Sequence, residues 1–243
     1  MPHIMRLIID IGNSRAKVAA FEGGEPVELF VTDHSLKGLR EFAWRTGCQN
    51  GIFSTTARMT EEGIKELESV GFPIMQLTGE TRVPVEVTYH TKETLGADRI
   101  AGIVGARSLK PEGNLLVIDS GTCLTIDFLD AENHYQGGNI SPGVEMRLRA
   151  MHEGTALLPL IDREGEVPKL GYDTATALRS GVIIGMTHEI EGYIRQFREK
   201  YPQLSVFLTG GDAFHIDMSE ENCIFADKFL VLRGLNHILA YNI

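Results

Sequence analysis

Apolar residues in the first third of the chain fall into short runs of strand length, separated by glycine. Residues 6–10, 15–21 and 26–31 read as three strands, with Gly12-Asn13 and Gly23-Gly24 as the turns between them. The period then lengthens to that of a helix over Leu36 to Arg45, with Ser35 as its N-cap and Gly47 as its stop. A short strand at 51–54 follows. Thr60 caps a second helix that carries Glu61 and Glu62 in its first turn and ends at Gly71, and 73–77 is a further strand. GADRIAGIVGARSLKPEG (96–113) predicts a linking helix closed by Pro111 and Gly113.

The pattern restarts near Asn114. Strands are expected at 114–119, 123–129 and 134–137, and helices at about 143–152 and 174–200. A buried strand ending in a glycine turn is expected at 205–212, and a last helix at 229–241. Both halves begin with three strands and continue with alternating helices and strands. This predicts an α/β chain of two domains, residues 1–110 and 111–243. The first hairpins also match in detail. LIIDIGNSRAKVAAF (7–21) and LVIDSGTCLTIDF (116–128) align Asp10 with Asp119 and Gly12 with Gly121.

A carboxylate at the end of a buried strand, followed by glycine and a hydroxyl, suits phosphate chemistry. Glycine lets the backbone approach a phosphoryl oxygen, and Ser14 and Thr122 can donate to it. Asp10 would hold a hydrated Mg²⁺ and Asp119 another cation, which offsets the water each loses. One such hairpin alone reads better as an aspartate capping its own turn. Two in matching places favour a polyphosphate gripped from both sides. No G-x-x-x-x-G-K-[ST] and no G-x-G-x-x-G after the first strand is present, so P-loop and Rossmann readings lack support. Lys17 is either a phosphate ligand or a solvated strand lysine. In Gly96-Ala97-Asp98-Arg99, Asp98 opens a helix. It either stabilises that helix or, as a weak base, takes a hydroxyl proton late in phosphoryl transfer. Arg99 either neutralises phosphate or pairs with an acid. GGNISPG (137–143) before a helix is a candidate anion or substrate lip, TGGD (209–212) a turn of the type that approaches adenine or ribose, and Tyr172-Asp173-Thr174 a cap.

Composition narrows the class. The 243 residues are 43% hydrophobic, with no apolar run of transmembrane length and no leader pattern, so no membrane role is expected. Three distant cysteines and no C-x-x-C argue against a disulfide framework or zinc site and fit a reducing cytoplasm. Eight histidines form no H-E-x-x-H pair. A net charge of −10 with scattered basic residues disfavours nucleic acid but not a nucleotide, which backbone N–H groups and a metal can hold.

DIGNSRAK (10–17), GADR (96–99), DSGTCLTIDF (119–128), GGNISPG (137–143), Thr174 with ALRSG (177–181), and TGGD (209–212) occur in the order found in type III pantothenate kinases, and the chain resembles that family over almost its whole length. The resemblance implies the acetate and sugar kinase/actin superfamily, with two duplicated ribonuclease-H-like domains and a nucleotide cleft between them. It implies a cytoplasmic homodimer that phosphorylates pantothenate, the first step toward coenzyme A, using ATP, Mg²⁺ or another divalent cation, and K⁺ or NH₄⁺. By position, Asp10, Ile11, Gly12, Asn13, Ser14, Arg15, Ala16 and Lys17 would form the first ATP-binding hairpin, with Asp10 near Mg²⁺ through water. Thr122 would also contact ATP. Asp98 would accept the hydroxyl proton. Tyr89, Gly96, Ala97, Asp98, Arg99 and Thr174 would contact pantothenate, Thr174 on the partner's site in one arrangement. Asp119 would hold the monovalent cation. Ser14 stands where the family usually has threonine, and Cys123 where alanine is usual. Three rivals remain: a sugar or acetate kinase, whose chains are longer and lack GADR; a non-catalytic regulator, which need not retain Asp10, Asp98 and Asp119; and an actin-like ATPase, which needs more subdomains than 243 residues provide.

Overall fold

A computed structural model of the chain describes residues 4–211 and 224–243. The chain divides into two compact units. One comprises Met1–Glu112, Glu132–Gln136 and Phe229–Ile243, the other Gly113–Ala131 and Gly137–Lys228.

The first unit holds β1 (Met5–Ile11), β2 (Ala16–Glu22), β3 (Glu25–Thr32), α1 (Leu39–Arg45), β4 (Cys48–Thr55), α2 (Glu61–Ser69) and β5 (Ile74–Gln76). Its sheet has the order β3-β2-β1-β4-β5, antiparallel across β3-β2-β1 and parallel across β1-β4-β5. β1 is central, and Leu7, Ile8 and Ile9 are all fully buried, as a strand covered on both faces requires. Leu7, Ile9 and Ile11 join Val18, Leu39 and Phe42 in one core. β6 (Glu86–Val87), a 3₁₀ turn (Lys92–Thr94) and α3 (Ala97–Leu109) follow.

The second unit repeats the plan. β7 (Leu115–Ser120), β8 (Cys123–Leu129), β9 (His134–Pro142), α4 (Val144–Glu153), α5 (Thr174–Lys200), β10 (Ser205–Thr209) and β11 (Ile224–Ala226) give the sheet order β9-β8-β7-β10-β11. β7 pairs antiparallel with β8 and parallel with β10, and β10 is parallel to β11. β9 starts in the first unit, where His134 and Tyr135 pair with Glu86 and Val87 of β6. The final helix, α6 (Leu230–Asn242), also belongs to the first unit.

Three boundaries differ from the sequence expectation, each for a local reason. α1 begins at Leu39 rather than Leu36. Asp33 accepts hydrogen bonds from the Ser35 N–H and hydroxyl, closing a turn, and Leu36 and Gly38 take positive φ values of 54° and 91°. β4 starts at Cys48, not 51, although Gly51 is a weak strand former. A Cβ at Gly51 would lie 2.6 Å from the Leu7 carbonyl oxygen, so glycine is what lets β4 lie against β1. β9 runs to Pro142, beyond the 137 expected, through a Gly-Gly pair in which a Cβ at Gly138 would meet the Ile126 oxygen at 2.0 Å. The cap at Thr60 is as expected: its Oγ1 accepts from Gly63 N–H at 3.1 Å.

α3 and α6 cross through glycine. A Cβ at Gly105 would lie 2.1 Å from the Leu230 oxygen, and one at Gly234 would lie 1.7 Å from the Ala101 oxygen. Alanine would favour the isolated helix by about 1 kcal/mol, but the clash is with backbone and cannot be relieved by a rotamer. Gly234→Ala is therefore expected to destabilise the protein by about 1–3 kcal/mol, read as a lower thermal midpoint. An unchanged midpoint would show that the two helices can separate at little cost.

Candidate active site

The first hairpin joins β1 to β2. Ile11 and Ala16 face each other across the ladder and are buried, so they anchor the turn to the sheet. Asn13, Ser14 and Arg15 form the exposed tip, closed by Gly12 N–H donating to Arg15 O at 3.1 Å. Asp10 ends the buried run and pairs in register with Lys17 on β2 and Ser54 on β4. The Ser54 hydroxyl donates to Asp10 Oδ1 at 3.0 Å.

Asp10 is the perturbed group of this site. Burial pushes its carboxyl from the ordinary 3.8 up to about 6. Lys17 and the Ser54 hydrogen bond pull against that rise, and the charge of Asp98 adds to it. An ionised carboxylate that its surroundings compensate this poorly fits a hydrated divalent cation as the missing partner.

Asp98 is the second residue of α3, after the N-cap Gly96. Its Oδ1 accepts from Arg99 N–H at 2.9 Å, which holds the carboxyl at the helix start. A Cβ at Gly96 would come within 2.5 Å of that same oxygen, so glycine admits the fold-back. Arg99 is buried, and its guanidinium lies 5.7 Å from the centroid of the Tyr89 ring. Tyr89 also faces Tyr135, at 6.3 Å between centroids. The structure thus brings together Asp10, Lys17, Tyr89 and Gly96 to Arg99 within one unit. The Gly96-Ala97 start of α3 borders a cavity walled by Thr55, Leu77, Val85 and Leu95.

The second hairpin, in the other unit, holds Asp119 and Thr122. Gly121 N–H donates to Cys123 O at 3.0 Å, and Gly143 N–H, at the start of α4, donates to Thr122 O at 3.1 Å. The close approach needs glycine, since a Cβ at 143 would lie 2.1 Å from the Gly121 oxygen. The 137–143 segment, expected as a substrate lip, is seen to clamp this turn. Ser141, Glu189 and Arg147 brace it: Ser141 Oγ donates to Glu189 at 2.7 Å, and Arg147 Nε to Pro142 O at 2.7 Å. Asp119 is in register with Thr209 on β10, as Asp10 is with Ser54 on β4. Gly210, with φ at 99°, turns the chain against Asp119 Oδ1 and the Ser120 carbonyl. Carboxylate and carbonyl oxygens are a donor set suited to an alkali cation. Asp212, the last residue of the TGGD motif, and Cys223 lie outside the described residues. Thr174 is the exposed first residue of α5, and Asp173 before it caps the helix through Thr176 N–H at 2.8 Å. Cys48 and Cys123 are free thiols.

Ser54 escaped the sequence reading, and Thr209 was noted there only as the start of the TGGD turn, not for its register with Asp119. Their signal was there: FST (53–55) and FLT (207–209) each put a hydroxyl at the end of the strand beside the aspartate-bearing one.

Two sheets of matching order, each with an aspartate-ended hairpin at its centre, define the fold shared by sugar kinases and actin-like ATPases. Solved structures agree. The chain superposes with a TM-score of 0.53 on the inorganic polyphosphate/ATP-glucomannokinase of Arthrobacter sp. strain KM, covering 99% of this chain and 100% of that one at 13% identity. A Campylobacter jejuni protein named as a Baf family transcriptional activator gives 0.64 at 22% identity, covering 97% and 98%. Within this class the sequence is specific. The family model of type III pantothenate kinase matches residues 6–196, and a type III pantothenate kinase of Phocaeicola vulgatus is 50% identical over 239 residues, 98% of this chain and 99% of the relative. The chain belongs to the type III pantothenate kinase family.

The raised proton affinity of Asp10 has a thermodynamic consequence. Its folded pKa lies above the unfolded one, so its contribution to stability is fully present below about pH 4 and is lost as pH rises through about 6. In metal-free protein, Asp10→Asn should melt higher than the parent at pH 8, by on the order of 1–3 kcal/mol. The gap should close toward pH 4. A gap that is flat with pH would show that Asp10 is already compensated.

Proposed function

We infer that the protein transfers the γ-phosphoryl group of ATP to the primary alcohol of pantothenate, giving 4'-phosphopantothenate, the first step of coenzyme A biosynthesis. The observation that carries this reading is the full-length family match in a chain whose GADR motif opens α3 within electrostatic reach of Asp10.

In this reading the backbone and hydroxyls of Asp10 to Lys17 and of Thr122 hold the phosphates. Tyr89, Gly96, Ala97 and Arg99 orient pantothenate, with Thr174. The aliphatic wall of Leu77, Val85 and Leu95 beside Gly96 suits its branched hydrocarbon portion. Asp98 accepts the hydroxyl proton as the oxygen attacks the γ-phosphorus and ADP leaves. The transition state is loose, so a carboxylate suffices and positioning supplies most of the rate. Asp10 would hold Mg²⁺ through water and Asp119 would hold K⁺ or NH₄⁺; when bound, these cations neutralise phosphate charge.

The protein works as a homodimer in this proposal. The 155–173 segment before α5 supports it, because Leu157 and Leu170 are 94% and 86% exposed and Tyr172 70% exposed, apolar area that a second copy would cover. Action in the cytoplasm follows from the pathway assigned. Among the described residues, no helix is long and apolar enough to cross a membrane.

The experiment is ATP turnover with Mg²⁺ and K⁺, with pantothenate, a panel of sugars or acetate as acceptor, and mass detection of the product. Asp98→Asn should keep the fold and lower turnover by roughly 10²-fold or more; full activity would remove Asp98 from its role. Exchange of K⁺ for Na⁺ should also reduce turnover. Equal rates in the two salts would count against Asp119 as a monovalent-cation ligand.

A further inference from the structure

The turn of the first hairpin is held by more than its own ladder. The peptide group after Ile11 has defined partners. Ile11 O accepts from Thr56 N–H at 3.0 Å, and Gly12 N–H donates to Arg15 O at 3.1 Å, so the Ile11–Gly12 peptide is pinned at both ends. The next peptide, Gly12–Asn13, is pinned at one end by a side chain: His34 Nε2 lies 2.9 Å from Gly12 O, and since a carbonyl only accepts, the imidazole donates. The peptide is trans and planar, so Asn13 N–H points away from Gly12 O. That N–H has no partner among the described residues, and Asn13 lies exposed at the hairpin tip.

We propose that His34 is a positioning residue for the nucleotide, its ring fixing the Gly12–Asn13 peptide so that Asn13 N–H is presented to a phosphate oxygen. Glycine at 12 permits close approach, but it also lets the peptide on its C-terminal side rotate at little cost. The hydrogen bond from His34 removes that freedom before the ligand arrives, which is how preorganised donors gain their strength. This inference rests on the reading of the hairpin as a phosphate site.

The scaffold that carries His34 does not depend on its ring. Its backbone carbonyl accepts from Thr60 Oγ1 at 2.9 Å, and Gly63 lets α2 approach, since a Cβ there would lie 2.5 Å from that carbonyl oxygen. On the other side, Asp33 accepts from Ser35 N–H at 2.9 Å. Alanine at 34 keeps all of these contacts and removes only the ring. Glutamine places an amide N–H about where Nε2 stands, and asparagine stops a methylene short.

The test is the affinity of the full chain for a non-hydrolysable ATP analogue with Mg²⁺, by calorimetry, for the parent, His34→Ala, His34→Asn and His34→Gln. Steady-state constants for both substrates are measured alongside. Alanine and asparagine should weaken nucleotide binding and raise the KM for ATP by roughly 5- to 20-fold, leave the KM for pantothenate within about twofold, and leave the melting midpoint nearly unchanged. Glutamine should recover most of the loss. Should His34→Ala fail to fold, the asparagine–glutamine comparison decides. Parent-like nucleotide affinity in a folded alanine or asparagine variant would overturn the proposal, as would equal losses for both substrates or a glutamine variant no better than asparagine. Binding needs no acceptor, so the two readings fail separately. A parent chain that binds nucleotide but leaves pantothenate unmodified sinks the substrate reading and keeps this one; a parent chain that binds no nucleotide sinks both.

Discussion

A carboxylate at the mouth of a doubly covered strand is the constraint around which the first unit is arranged. β1 must be apolar to sit at the centre of its sheet, and Leu7, Ile8 and Ile9 satisfy that. Asp10, half-buried at the strand's end, then loses part of its water without gaining enough in return. Lys17 and Ser54 supply partial compensation from the two flanking strands, and Asp98 works against it. No packing requirement places two carboxylates within each other's field. The arrangement disfavours the ionised carboxylate, and a perturbed acid of this kind marks Asp10 as a candidate functional group.

Around both aspartates the backbone is held by groups that have little to do with hydrophobic burial. The two hairpins use different means to the same end. In the first, a histidine side chain from the β3–α1 connection takes the Gly12 carbonyl. In the second, the amide of Gly143 at the start of α4 takes the Thr122 carbonyl, and Arg147 and Glu189 brace the segment behind it. The two units share the sheet order and the aspartate–hydroxyl register, while their clamps differ. Sheet order is fixed by many ladder bonds together, whereas a single carbonyl can be satisfied by any nearby donor.

Much of this could be read from the sequence. The strand–turn–strand openings of both halves, the helices of 174–200 and 229–241, and the Thr60 cap follow from period and capping chemistry, which are local. β6 and β11 were not legible: each is two or three residues long and exists only because a partner strand offers a ladder. The early start of β4 was hidden because its glycine serves a contact with Leu7, remote in sequence. For the site, Asp10, Asp98 and Asp119 stood out as acids among apolar residues. Ser54 did not, because a hydroxyl at a strand end has many ordinary uses and only the pairing of β4 with β1 sets it beside Asp10; nor did His34, a loop histidine whose contact with the Gly12 carbonyl is remote in sequence.

The placement of α6 ties the two ends of the chain together. Its glycine-mediated contact with α3, and the hydrogen bonds of Asn236 and Arg233 to Gly23 and Gly24, make the last fifteen residues part of the unit that starts the chain. A ribosome releases the β1–β5 sheet long before it makes α6. During synthesis that sheet lacks the helix that covers α3 and must wait with apolar surface open, while the whole of the second unit can emerge and fold. Completion of the first unit waits on the segment from residue 229 onward, and a chain stalled or truncated before it leaves the first hairpin on an unfinished core.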